Sequence, residues 1–188
     1  DRWGSRGLGD VYKRQDPAIT YGKLENGFTY YIRENQTPKD KVSIKLIIKA
    51  GSIMEEENQL GLAHLLEHMA FNGSKNFPKR KIDEYMSSIG LNIGSHYNAS
   101  VGFLKTNYVY EIPTNNDDDV EVALKILTDI SKNLSLEPEA FERERKIVEE
   151  EWRTDIGGSK NYINEFHKVM FKNSRFNERK PIGTLDII

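Results

Sequence analysis

Half of the four histidines in this 188-residue chain fall in one short stretch, "GLAHLLEHMAFNG", residues 61–73. His64 and His68 are four residues apart, and Glu67 directly precedes the second. On a helix turning 100° per residue, these three side chains share an arc of about 100°. Leu62, Leu65, Leu66 and Met69 fall on the opposite side. The expectation is a helix with its leucines in the core and two imidazoles and a carboxylate on one exposed arc. Histidines at i and i+4 can both reach one metal ion, and a carboxylate beside them can hold a water. H-x-x-E-H is the inverted form of the zinc-protease helix motif. In a shuffled chain with 4 His and 18 Glu the pattern is expected about 0.01 times. A solvated polar stripe is the bland alternative, and the Leu-rich back face argues against it.

A catalytic zinc site needs a third protein ligand and keeps one position open, whereas a structural site has four ligands. The chain has no cysteine to offer. His96 and His167 are candidates, but each stands alone in sequence. A better case lies in "EPEAFERERKIVEEEWRTD", residues 137–155. Glu144 and Glu151 are two helical turns apart, on the face that also carries Ala140, Phe141, Ile147, Val148 and Trp152. Neither has a basic residue four positions on, because Val148 and Asp155 stand there. An unpaired carboxylate in an apolar stripe costs free energy unless a cation or hydrogen-bond donor meets it. Glu142, Glu149 and Glu150 lie on the outer arc and read as solvated. From the residues alone, either acid could be the third ligand, or this face could line a wet groove.

These residues need elements to hold them. "KLENGFTYYIRE" places an Asn26-Gly27 turn before a β-rich run, a hairpin or strand entry. "KVSIKLIIKAGS" gives a buried strand over residues 42–49, and Asn72-Gly73 stops the histidine helix. Pro78 opens a helix with Ile82, Tyr85, Met86 and Ile89 on one face, closed by Gly90. "LNIGSHYNASV" and "FLKTNYVYEIP" read as two antiparallel strands. "NNDDDVEVALKILTDISKNL" is a helix whose three aspartates suit its positive end. The 137–155 helix follows, with a last amphipathic helix from about Ser159 to Lys172. The order predicts an α+β fold, a largely antiparallel sheet with helices packed on one face.

Composition narrows the function. Charged residues make up 30% and hydrophobic ones 37%, so the chain reads as one soluble, globular domain. Its net charge of −2 comes with no basic stripe, which argues against nucleic acid as a partner. No apolar run approaches the ~20 residues of a membrane span. Residues 1–15, "DRWGSRGLGDVYKRQ", carry no helical or strand period and read as a non-native leader, leaving 16–188 as the domain. The apolar ending "PIGTLDII" suggests a piece of something longer.

Taken together, "GLAHLLEHMAFNGSKNFP", "NYVYEIP", "ERERKIVEEEWR" and "KPIGT" resemble the M16 metallopeptidases, the family of pitrilysin, insulin-degrading enzyme and the mitochondrial processing peptidases, over about residue 16 to the end. Bacterial members are the nearest in pattern. The resemblance implies a zinc-dependent endopeptidase domain acting on extended peptides or unfolded protein segments. By position, His64 and His68 correspond to zinc ligands and Glu67 to the general base. The family's distal E-R-x-x-x-x-x-E frame falls on Glu144-Arg145 through Glu151, which makes Glu151 the third ligand and Glu144 a supporting group. Glu144 stays open as an alternative ligand, since its distance from His68 fits the usual family gap better. Asn98 and Ala99 resemble the strand that binds substrate backbone. The family builds a clamshell, so a second half, in the same chain or a partner subunit, is implied, and the isolated piece is expected to bind zinc but cleave poorly. Export to the periplasm is common among bacterial relatives. Two rivals remain: a non-catalytic scaffold subunit of the same family, and S-ribosylhomocysteine lyase, whose cysteine ligand has no counterpart here.

Overall fold

Alternating side chains build the central sheet. Strands β3 (Lys41–Ile48), β4 (Tyr97–Val101) and β5 (Thr106–Pro113) pair antiparallel in the order β3-β5-β4. Val42 opposes Ile112, Leu46 opposes Tyr108, and Tyr97 opposes Tyr110. One face therefore carries Leu46, Tyr97, Tyr108, Tyr110 and Ile112, all buried, while Lys45, Ile47 and Glu111 on the other are exposed. The computed structural model describes residues 16–155 and 159–188, and the expected leader lies outside them.

Helices cover the buried face as expected. Helix α2 (Lys81–Ser88) contributes Ile82 and Met86, and α3 (Asp117–Lys132) contributes Ala123, Ile126, Leu127 and Ile130 to the same core. The Asn116 side chain caps α3 by accepting from the Asp118 N–H, with three aspartates in its first turn. The histidine helix is α1 (Leu62–Met69), and the acidic helix is α4 (Pro138–Asp155). Helix α1 packs between β4 and α4. Leu65 and Val148 are fully buried at the α1–α4 contact, joined by Ile188, Leu62 and Phe141. Helices α5 (Ser159–Met170) and α6 (Arg175–Glu178) end the chain's order of elements.

The described residues up to Lys39 form a separate unit from residues 40–188. Its described part is a hairpin of β1 (Ile19–Lys23) and β2 (Thr29–Arg33), with Tyr21 opposite Tyr31. Gly27 takes a left-handed φ of 88°, and the Asn26 side chain accepts from the Phe28 N–H, which is the turn chemistry the Asn-Gly pair implies.

The structure departs from expectation in several places. Residues 91–96 turn rather than extend, because Gly94 adopts φ 84° and the Asn92 N–H is held by His96 Nδ1. Two 3₁₀ turns, Ser52–Met54 and Glu57–Gln59, and helix α6 were not foreseen, being too short to show a period. Helix α5 stops at Met170, two residues early. Leu66 is 46% exposed, and the His64–Glu67–His68 arc is covered rather than open. The reason is that α4 lies across both arcs of α1: Val148 and Phe141 meet Leu65 and Leu62, Glu151 and Glu144 meet His64 and His68, and Leu66 is left to solvent.

The loop after α1 is fastened by a buried acid. Asp129, on α3, accepts from Ser74 Oγ at 2.7 Å, the Asn76 N–H at 2.8 Å, and the Asn76 and Asn133 amides at 2.9 Å each. Burial pushes its carboxyl up, but the four hydrogen bonds outweigh that and hold it below the usual 3.8. A depressed carboxylate stabilises the fold above its unfolded pKa and loses that contribution as pH falls through the folded value. Asp129→Ala strands several buried donors, so chemical denaturation at pH 7 should show a loss of about 2–4 kcal/mol. The difference from the unsubstituted chain should shrink below about pH 4.

Candidate metal centre

Helix α1 is set by its ends. Gly61 precedes it with φ 97°, and the buried Glu55 supplies the cap that glycine cannot. Its two carboxylate oxygens accept from the Gly61 N–H at 3.0 Å and the Ala63 N–H at 2.8 Å. The Glu55 carbonyl accepts in turn from Arg175 Nη2 and Arg179 Nε, both at 2.8 Å. Gly61 and Gly183 meet back to back: a Cβ on Gly183 would lie 2.4 Å from Gly61 Cα. Gly183 belongs to "KPIGT", and its carbonyl accepts from Trp152 Nε1 of α4 at 3.2 Å. The C-terminal segment thus clamps α1 to α4. At the other end of α1, the Asn72 amide donates to the His68 carbonyl at 3.1 Å and accepts from Arg143 Nη2.

Between the clamped helices, three donor atoms converge. His64 Nε2 and His68 Nε2 are 3.3 Å apart. Glu151 Oε2 lies 3.4 Å from the first and 3.7 Å from the second. Tetrahedral zinc with bonds of about 2.0–2.1 Å sets its ligand atoms about 3.3–3.4 Å apart. The three atoms therefore fit one such ion. His64, His68 and Glu67 also offer ligand atoms within 4.8 Å of one another, so Glu67 borders the same space.

The five acids and bases differ in setting. Both imidazoles are 16% exposed, whereas Glu151 is 46% exposed at the cleft mouth. This corrects the picture of two acids in one apolar stripe: Glu144 is buried, and Glu151 faces the cleft. Glu144 Oε2 stands 3.4 Å from His68 Nδ1, the nitrogen turned away from Glu151, and its Oε1 is 3.6 Å from Arg143 Nε. Glu67 is buried, and its carboxyl is pushed up by that burial; His68 pulls it down and Glu151 pushes it up again. The outer acids are paired on the α4 surface: Glu142 and Glu149 with Arg145, Glu150 with Arg153.

Two clefts meet at this point. One, of about 570 Å³, holds the His, Glu and Arg143 side chains with Asn98 and Ala99. The other, of about 430 Å³, shares His64, Glu67 and Ala99 and continues past Ser100 and Val101. Asn98 and Ala99 lie on β4, whose outer edge pairs with no strand among the described residues. The Ala99 N–H donates to Asn98 Oδ1 at 2.9 Å. Of the isolated histidines, His96 holds its own turn and His167 lines the second cleft, apart from the donor triangle. Glu55, Arg175 and Arg179 were not singled out from sequence. Their hydrogen bonds span 6 to 124 residues and leave no local pattern.

The sequence and the fold are similar to those of known proteins. The insulinase profile, Peptidase family M16, matches residues 30–178. The chain is 38% identical over 173 residues to "Probable zinc protease PqqL" of Haemophilus influenzae, covering 92% of this chain and 19% of that protein. The crystal structure of the periplasmic protease PqqL from Escherichia coli superposes with a TM-score of 0.89 at 34% identity, over 92% of this chain and 19% of that one. The ferredoxin protease FusC, solved in complex with Arabidopsis ferredoxin, matches with a TM-score of 0.82 at 31% identity, over 90% and 19% respectively. The chain thus spans about a fifth of the length of these relatives. With the profile covering most of its length, the chain belongs to peptidase family M16, the insulinase family.

Proposed function

We propose that this chain is the metal-binding part of a zinc-dependent endopeptidase that hydrolyses extended peptides or unfolded protein segments. The observation that carries the reading is the triangle of His64 Nε2, His68 Nε2 and Glu151 Oε2, with edges of 3.3, 3.4 and 3.7 Å. In this reading those three residues hold zinc, which supplies Lewis-acid polarisation to a water and to the scissile carbonyl. Glu67 takes a proton from the water as its oxygen bonds the carbonyl carbon, then delivers that proton to the amine nitrogen as the C–N bond breaks. Its burial supports the role, because a desolvated carboxylate is a stronger base than an exposed one. Glu144 accepts from His68 Nδ1–H, which fixes the tautomer that leaves Nε2 free to coordinate.

Substrate would add as a strand on the open edge of β4, taking over the Ala99 N–H from the Asn98 side chain. The relatives are about five times longer than this chain, so we place a second, M16-like half opposite the clefts, in the same polypeptide or in a partner subunit. A periplasmic or otherwise exported setting follows the Escherichia coli relative, and no described helix is long and apolar enough to cross a membrane.

The test uses the 188-residue chain alone. Titration should show one zinc per chain, and a quenched-peptide assay should show hydrolysis on the order of 10²-fold or more below that of the full-length protein, since binding and orientation from the second half are lost. No retained zinc would overturn the metal reading. Turnover equal to that of the full-length protein would overturn the need for a second half.

A further inference from the structure

Among the described residues, three lysine and arginine side chains line the two clefts: Arg80 and Arg143 in the first, Lys180 in the second. Arg80 Nε is 3.6 Å from Asp83, and Arg143 Nε is 3.6 Å from Glu144. Lys180 differs. Among the described residues no carboxylate comes within ion-pair distance of it, and its Nζ donates to the neutral Asn164 Oδ1 at 2.8 Å. The ammonium is therefore held by a neutral partner at the edge of this cleft and of a neighbouring one lined by Asn164, Glu178 and Ile182.

Its backbone is also fixed. Arg179, just before it, is buried and bonded to the Glu55 carbonyl, and Pro181 follows. Half-buried, Lys180 shares the cleft with His167 and with an apolar lining that includes Phe103, Ile163 and Ile182. Among the described residues the one carboxylate lining this cleft is Glu67, which borders the donor triangle, and the β4 edge at Ser100 and Val101 forms a wall of it. A pocket with apolar walls and one cation held without a carboxylate partner among the described residues suits a side chain with a short aliphatic stem and an anionic end.

We propose that this second cleft is a subsite that selects an acidic substrate residue, Glu above all, on the side of the scissile bond lying over Ser100 and Val101, with Lys180 as the selecting residue. This rests on the peptidase reading above and would give the protein a preference that its zinc site alone cannot supply.

The test is binding to the zinc-loaded full-length protein carrying Glu67→Gln, so that peptide is held and not cut. Fluorescent peptides differing only in Glu, Gln or Lys at each position in turn are compared by anisotropy. At one position Glu should bind about 10-fold tighter than Gln, with Lys weaker still, and the ratio should fall as salt rises. Lys180→Met should bring the Glu/Gln ratio close to one while the Gln peptide keeps its affinity, and Lys180→Arg should retain the preference. An unchanged ratio in Lys180→Met, or no position that prefers Glu, overturns the proposal. The peptidase reading fails separately, if the Glu67→Gln protein still cleaves.

Discussion

Replacing Glu67 with Gln should lower peptide hydrolysis by the zinc-loaded full-length protein on the order of 10³-fold and leave its zinc content unchanged. The substitution keeps size and hydrogen-bonding shape but removes the only property the proposed role needs, the capacity to accept a proton. The donor atoms at His64, His68 and Glu151 are not altered. The same change should not harm the fold. Burial already disfavours the Glu67 carboxylate, so a neutral amide relieves that penalty, and metal-free protein should melt no lower than the unsubstituted one. A variant that folds, holds zinc and is inactive separates chemistry from structure. Undiminished turnover would remove Glu67 as the base and leave it as a buried acid beside the metal.

Much of this centre was legible because helical geometry is rigid. Once His64, Glu67 and His68 are on one helix, 100° per residue decides that they point the same way. Likewise the seven-residue step from Glu144 to Glu151 nearly completes two turns. What periodicity could not say is what stands opposite. It placed Leu66 in the core and the histidines in the open, because a single amphipathic helix is read as having one packed side. Helix α4 covers the polar arc through Glu144 and Glu151, beside the contact of Val148 and Phe141 with Leu65 and Leu62, and no residue within α1 encodes that arrival. The Glu55 cap was hidden for a similar reason. A cap is sought immediately before the helix, where this chain has a left-handed glycine, while the acid that does the work reaches in from six residues earlier. The strand expected over residues 91–96 failed locally, since Gly94 turns a run that otherwise has strand composition. Lys180 stood in "KPIGT" without any sign that its neighbours would leave it unpaired.

The choice between Glu151 and Glu144 as third ligand has the next largest consequence, and the two histidine nitrogens give it a sharp form. Glu151 stands against both Nε2 atoms, whereas Glu144 stands against His68 Nδ1, on the other side of the same ring. One imidazole can coordinate through one nitrogen and be oriented through the other, so the two acids have different work to do. Loss of a ligand removes its share of an apparent zinc free energy of about 10–16 kcal/mol, which over four ligands is about 10²- to 10³-fold in affinity. Loss of an orienting partner costs about 10- to 100-fold. Competition with a chelator should therefore rank Glu151→Ala well below Glu144→Ala in zinc affinity. The amide variants sharpen the distinction. Gln at 144 keeps a carbonyl that can accept from His68 Nδ1–H and should recover most of the loss, while Gln at 151 offers a neutral oxygen in place of an anionic one and should recover little. If Glu144→Gln loses zinc and Glu151→Gln keeps it, Glu144 would be the ligand and His68 would bind through Nδ1, the nitrogen that Glu144 faces.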